Sequence, residues 1–166
     1  HAPLLIGRYA SDMYDGDQSL YGNPWVLTTN ALAQYYYALA NAYLSRGIIE
    51  ITPTNLLFFN QVNAELFECP MTISLKTQPH LFYQAISSLF ATGDEILAVV
   101  KQYGTCYNDL SCLHFAEQLD RSSGKAVSAN DLSWNYATFL GALRERSQVE
   151  RRAQGFYMNT QQRRHV

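Results

Sequence analysis

The sequence predicts an all-α fold, and three observations carry that reading. Apolar residues recur at three- and four-residue spacing over most of the chain, period-two alternation never persists beyond a few residues, and Gly or Pro stands where helices should start or stop. With 166 residues, 48% of them hydrophobic and 16% charged, the chain has the composition of one packed domain rather than of a disordered segment.

The first element is the clearest. From Val26 to Leu44, the residues Leu27, Ala31, Leu32, Tyr35, Leu39, Ala42 and Tyr43 mark one helical face, and Gly47 follows as a stop. Its alanines predict close approach to a neighbouring helix. Next, Thr54 is expected to cap a helix through Asn55, Leu56, Leu57, Phe58, Phe59 and Val62 toward Phe67, ended by Cys69 and Pro70. The segment from Met71 to Thr77 is the best candidate for a short strand. A third helix begins near Pro79, whose fixed φ suits a first turn, and runs through Leu81, Phe82, Ala85, Ile86 and Leu89. Gly93 is its expected point of interruption before a continuation through Ile96, Leu97, Val99, Val100 and Tyr103 to Gly104. The last helix is read from Ser128, with Asp131 three residues on as a variant of the capping box. It shows Leu132, Tyr136, Phe139, Leu140 and Leu143 on one face, with Trp134 off that stripe.

Charge and cysteine usage exclude several classes of function. The net charge of −2 conceals six basic and twelve acidic side chains up to Leu143, then six Arg against two Glu. The basic tail over residues 151–166 carries no nucleic-acid-binding motif, so no nucleic-acid partner is expected. No window approaches the ~18 apolar residues of a membrane helix, and the opening HAPLLIG is too short and uncharged for a signal peptide. Cys69, Cys106 and Cys112 form no CxxC pair and have no histidines at zinc-finger spacing, which argues against a metal site. Cys106 and Cys112 enclose a loop that a disulfide would close if the protein is exported, leaving one cysteine free. His114, three residues before Glu117, is read as a packing or pKa-tuning neighbour, because two groups are too few for a metal. No Asn-x-Ser/Thr sequon supports export.

Two blocks carry the chemistry: IGRYASDMYDGDQSLYGNPW from Ile6 to Trp25, and AEQLDRSSGKAVSANDLSWNYA from Ala116 to Ala137. Arg, Asp, Asn and Gln offer forked hydrogen-bonding groups that match vicinal hydroxyls, while Tyr and Trp offer flat faces for the apolar side of a sugar ring. Glu117 adds one carboxylate capable of proton transfer.

The segments GRYASDMYDG, GNPW, AEQLDRSSG and SANDLSWNYATFLGA are, in that order, similar to fungal and yeast glucoamylases of glycoside hydrolase family 15. The resemblance runs from about Leu4 to Gln148. It implies a partial (α/α)6 toroid of the six-hairpin type, about half of the barrel, with residues 1–150 as the C-terminal part of a catalytic domain. It also implies inverting hydrolysis that frees glucose from the non-reducing ends of starch-like α-glucans, with no cofactor or metal. Glu117 matches the general base. Arg8, Tyr9, Asp12, Tyr14, Trp25, Gln118 and Trp134 match substrate-binding positions, with Asp12 expected to fix the fork of Arg8.

Departures from the family pattern qualify the activity. No segment resembles the tryptophan-rich motif carrying the general acid or the early Arg-Asp pair that holds the terminal sugar, so the chain alone is expected to be nearly inactive. It is expected to associate with the missing N-terminal part of the toroid or with a second copy, and to meet no membrane. Ala10 and Ser11 replace a usual Pro and acidic residue, and Ala116 replaces a usual Ser before the base. Two alternatives stand beside the enzyme reading: a non-catalytic helical module for carbohydrate binding or regulation, and a family member acting on another α-glucosidic linkage. The resemblance places the protein in a secreted or vacuolar setting.

Overall fold

The computed structural model describes residues 5–14, 22–104 and 113–162, with side chains described through residue 154. In order, the elements are α1 (Val26–Arg46), β1 (Ile48–Ile51), α2 (Leu56–Val62), β2 (Met71–Ser74), α3 (Pro79–Gln102), β3 (Ala116–Leu119), β4 (Ala126–Asn130) and α4 (Ser133–Gln162). Helices dominate, as the apolar spacing predicts. The chain divides into two compact units: His1–Tyr35 with Gly93–Arg144, and Tyr36–Thr92 with Glu145–Val166. Cys106, Cys112, Arg163 and Arg164 lie outside the described residues, and so does the expected disulfide.

In the second unit, aromatic pairs supply much of the core. Tyr36 stacks on Phe58 at 5.6 Å, Tyr37 meets Phe90 edge-on at 5.5 Å, and Phe59 meets Phe67 at 5.1 Å. The strand expected over 71–77 forms as Met71–Ser74 and pairs antiparallel with β1, which the sequence reading missed. Ile49, Ile51 and Ile73 bury the inner face of this pair. A four-residue strand offers too few alternations to register as a period. Asn41 of α1 donates to the backbone and side-chain oxygens of Glu145 at 3.0 and 2.9 Å, so a polar link joins α1 to α4 here.

Expectations for α1, α2 and α3 need correction. The face of α1 that is buried carries Ala33, Tyr36, Tyr37, Ala40 and Leu44, whereas Ala31, Tyr35 and Ala42 of the expected stripe are exposed. With one charged residue in 21 and with Asn30 and Asn41 buried among the apolar side chains, α1 has no solvated polar face, and periodicity cannot choose its inner face. Thr54 does not cap α2: Asn55 occupies that position, and its side chain instead bonds the backbone of Thr52 and Glu50. The helix ends at Val62 because Asn63 turns the chain, taking the Leu66 N–H on its own side chain. Gly93 interrupts nothing. It is buried on the continuous stripe of Phe82, Ile86, Leu89, Ile96 and Val100 in α3, where tertiary burial outweighs its weak helix propensity. Two expectations are met: α3 starts at Pro79 and α1 closes at Gly47, whose φ is +68° and whose N–H bonds the Tyr43 carbonyl at 2.8 Å.

The first unit holds the antiparallel pair β3–β4, joined by the tight turn Asp120–Lys125. Asp120 accepts bonds from the backbone of Ser122 and Ser123 and from the Ser123 hydroxyl, and these donors hold its carboxyl below the usual range. Ser128 does not open α4. It lies in β4 with φ +68°, and Asp131 has φ +58°, so both are left-handed residues that a helical first turn excludes. The helix starts at Ser133 and buries Asn135, Phe139 and Ala142, leaving Leu140 of the expected stripe 63% exposed. No described helix is long and apolar enough to cross a membrane.

Candidate active site

Three parts of the first unit converge: the loop through residues 5–14, the turn into α1 at residues 22–25, and the β3–β4 pair with the start of α4. Local constraints bring the first two together. Trp25 N–H bonds the Ile6 carbonyl at 2.9 Å, and the Thr28 hydroxyl bonds the same oxygen at 2.8 Å. A Cβ at Gly22 would lie 2.0 Å from the Asp12 carbonyl oxygen, so only glycine permits this approach.

Arg8 is the centre of the first cluster. Its Nε and Nη2 donate to the two carboxylate oxygens of Asp12, each at 2.7 Å, in the expected forked pair. The Asp12 side chain is 4% exposed and that of Arg8 34%, so the carboxylate sits inside and the guanidinium faces outward. Asp12 also accepts the Tyr14 N–H at 3.1 Å. The bond from Arg8 holds the Asp12 carboxyl below its usual range, and the bond to Asp12 raises Arg8, with Glu117 adding a smaller favourable charge effect. The guanidinium carbon lies 4.3 Å from the Trp25 ring centroid, 5.3 Å from Tyr14 and 5.4 Å from Tyr9. Trp25 in turn lies 5.9 Å from Tyr14 and 6.4 Å from Trp134. Trp25 is nearly buried beneath this group, while Tyr9, Tyr14 and Trp134 present open ring surface.

The second cluster centres on Glu117, 7% exposed on β3. The Ser128 hydroxyl donates to its Oε2 at 2.6 Å, and Gln118 Nε2 donates to the same oxygen at 3.2 Å. Asn23 closes the network, donating to Gln118 Oε1 at 3.2 Å while accepting the Arg121 N–H at 3.2 Å. The backbone explains how Ser128 reaches Glu117. Ala116 pairs with Asn130 but Gln118 pairs with Val127, so β4 carries one extra residue opposite Glu117, a bulge that holds the left-handed Ser128. Backbone pairing of Trp25 with Gln118, and the Leu119 N–H to Pro24 carbonyl bond at 3.0 Å, join the two clusters.

The structure therefore brings Arg8, Tyr9, Asp12, Tyr14, Trp25, Glu117, Gln118 and Trp134 into one neighbourhood. Gln118 is expected among the sugar contacts. It has no exposed surface and spends its amide on Asn23 and Glu117, so in this structure it braces the carboxylate. Ser128 and Asn23 were missed as site residues. Asn23 lay in plain view inside GNPW, and the turn DRSSGK between two short apolar runs is a hairpin signal that would have moved Ser128 from a helix cap to a strand. His114 pairs with Asp131 at 3.0 Å, and Asp131 also accepts the Tyr136 hydroxyl. Those two partners, Tyr136 first, hold the Asp131 carboxyl below its usual range. Among the described residues no group of three or more His, Cys, Asp or Glu could hold a metal.

Comparison with known proteins gives one consistent answer. Residues 1–144 match the family model for glycosyl hydrolases family 15. The chain is 34% identical over 156 residues to glucoamylase GLA1 of Saccharomycopsis fibuligera, covering 90% of this chain and 29% of the relative. It is 33% identical over 145 residues to glucoamylase-1 of Schizophyllum commune, covering 87% and 23%. Among solved structures it is similar to the family 15 glucoamylase from Hypocrea jecorina, with a TM-score of 0.72 and 33% identity over 89% of this chain and 22% of that one. It is equally similar to the glucoamylase from S. fibuligera, at TM-score 0.72 and 33% identity, covering 89% and 30%. The chain thus spans less than a third of the length of these relatives, and its helices carry part of their (α/α)6 toroid. By sequence and by fold, the chain belongs to glycosyl hydrolases family 15.

Proposed function

We propose that the chain supplies the general-base side of an inverting glucoamylase site. The observation that carries this reading is the state of Glu117: a nearly buried carboxylate whose hydrogen bonds among the described residues both fall on Oε2. Fixing one oxygen leaves Oε1 as the proton acceptor. In the proposed step, water attacks the anomeric carbon from the face opposite the leaving group and passes its proton to Glu117. A general acid ~6.5–9.5 Å away gives its proton to the glycosidic oxygen, and the C–O bond breaks with inversion. That acid belongs to the part of the relatives that this chain does not span.

Substrate placement follows from the other cluster. Arg8, held by Asp12 and backed by Trp25, offers its remaining N–H groups to the hydroxyls of the non-reducing glucose. The exposed faces of Trp134, Tyr14 and Tyr9 cover the sugar and exclude water from the reacting bond. Gln118 and Ser128 aim Glu117 without contacting sugar. The remainder of the toroid is the partner this reading requires, and an exported setting fits a polysaccharide substrate.

The test is glucose release from maltoheptaose by the chain alone and by the chain complemented with the N-terminal part of a family 15 catalytic domain. Turnover only in the mixture, with β-glucose as the first product seen by NMR, supports the reading. Binding of maltose by a folded, complemented protein that never turns over would replace it with a carbohydrate-binding module. Turnover of an α-1,6-linked glucan in preference to maltoheptaose would reassign the linkage.

A further inference from the structure

We propose that Asn135, backed by Asn30, is a positioning residue that fixes the strand bearing Glu117 against the helical turn bearing Trp134. The inference rests on Glu117 being the general base. Both asparagines are fully buried in the first unit. Asn135 Nδ2 donates to the Ala116 carbonyl at 2.9 Å, one residue before Glu117. Asn135 directly follows Trp134, so the residue next to that exposed aromatic is bonded to the carboxylate strand. Asn30 of α1 reaches the same turn, donating to the Asn135 carbonyl at 3.2 Å and approaching the Thr138 hydroxyl at 3.5 Å. That hydroxyl lies 2.9 Å from the Trp134 carbonyl and 3.1 Å from the Asn135 carbonyl. The relay thus runs from α1 through the first turn of α4 to β3.

Two features separate positioning from simple packing. The held carbonyl lies at the bulge, where β3–β4 pairing steps from Ala116–Asn130 to Gln118–Val127 and regular ladder bonds do not set the strand's angle. In addition, neither asparagine Oδ1 has a donor among the described residues. Burying an amide with its acceptor unsatisfied is unfavourable compared with an apolar side chain of similar size. What the amide adds is a directed N–H, which a buried polar network converts into one defined arrangement.

The experiment uses the chain complemented as above, comparing Asn135→Leu, Asn135→Asp, Asn30→Leu and the Asn30→Leu/Asn135→Leu double variant, with Glu117→Gln as the control. Both Asn135 variants lose the donor, and Asp keeps the shape. The proposal expects kcat to fall about tenfold with KM within about threefold, because the carboxylate shifts relative to a sugar still held by Arg8. The double variant should be no slower than Asn135→Leu alone, since Asn30 acts through Asn135. Hydrogen exchange at residues 116–119 should quicken in the Asn135 variants while α3 amides keep native rates. Native kcat in both Asn135 variants overturns the proposal if Glu117→Gln abolishes turnover. Loss of the fold in both also overturns it, because the amide then serves the fold and not the aim of the base. A control that keeps native turnover, or a native complement that never turns over, removes the base assignment instead, and this proposal with it.

Discussion

Replacing Ser128 separates two effects that the structure places on one residue. Its hydroxyl gives Glu117 a 2.6 Å hydrogen bond, and its backbone sits at φ +68°. Ser128→Ala and Ser128→Gly both delete the donor, so both should lose the same catalytic alignment. A hydrogen bond to a charged group contributes about 1.5–3 kcal/mol, and if that is the alignment energy, kcat falls by roughly 10- to 150-fold. Stability should differ between the two. A non-glycine residue in the left-handed region costs ~1–2 kcal/mol, which glycine avoids, while glycine's extra unfolded-state entropy costs ~0.5–1 kcal/mol. Ser128→Gly should therefore be the more stable variant by about 0.5–1 kcal/mol. Glucose release from maltoheptaose by the complemented chain measures the first quantity, and urea unfolding of the chain measures the second. Native kcat in both variants would refute the aiming role of Ser128, and an alanine variant as stable as the glycine one would refute the strain argument.

Other outcomes follow from the same geometry. The depressed Asp12 carboxyl contributes stability that is present above its unfolded value, about pH 3.9, and is lost as pH falls through its lower folded value. The stability gap between native chain and Asp12→Asn, read from urea midpoints, should thus be constant near neutrality and close below about pH 4; a gap that widens there contradicts the Arg8–Asp12 assignment. Gly22→Ala places a methyl against the Asp12 carbonyl at 2.0 Å, so the loop must move and maltose affinity should drop about tenfold or more, measured by calorimetry. Trp134→Ala should weaken maltose binding by roughly five- to tenfold through lost ring contact while leaving thermal unfolding nearly unchanged, since the residue is 45% exposed.

Much of the candidate site was legible in the sequence because its residues arrive in two dense blocks. GRYASDMY holds the forked pair Arg8–Asp12 at an i, i+4 spacing, and the carboxylate of Glu117 lies beside its brace Gln118, so local order preserved the chemistry. What escaped was anything set by distant backbone. Ser128 reaches Glu117 only through a hairpin and a bulge, and β3 itself is buried along its whole length, which removes the alternation by which a strand is recognised. The inner face of α1 was misread for a related reason: alanine and tyrosine occupy both sides, and tertiary packing alone decides which is covered. Gly93 shows the converse, a local breaker overruled by a buried stripe on either side of it. The Asn30–Asn135 link joins residues 105 positions apart and leaves no trace in either neighbourhood of the sequence.

The central claim is that Glu117 is the base, and the most direct test is the rate of glucose release from maltoheptaose by the complemented chain with Glu117→Gln against the native residue. Glutamine keeps the shape and the bonding reach to Ser128 but cannot take the proton from water. The account predicts a fall of about 10²- to 10⁴-fold in kcat with maltose affinity held within a few fold. A Glu117→Gln protein that releases glucose at close to the native rate would contradict it.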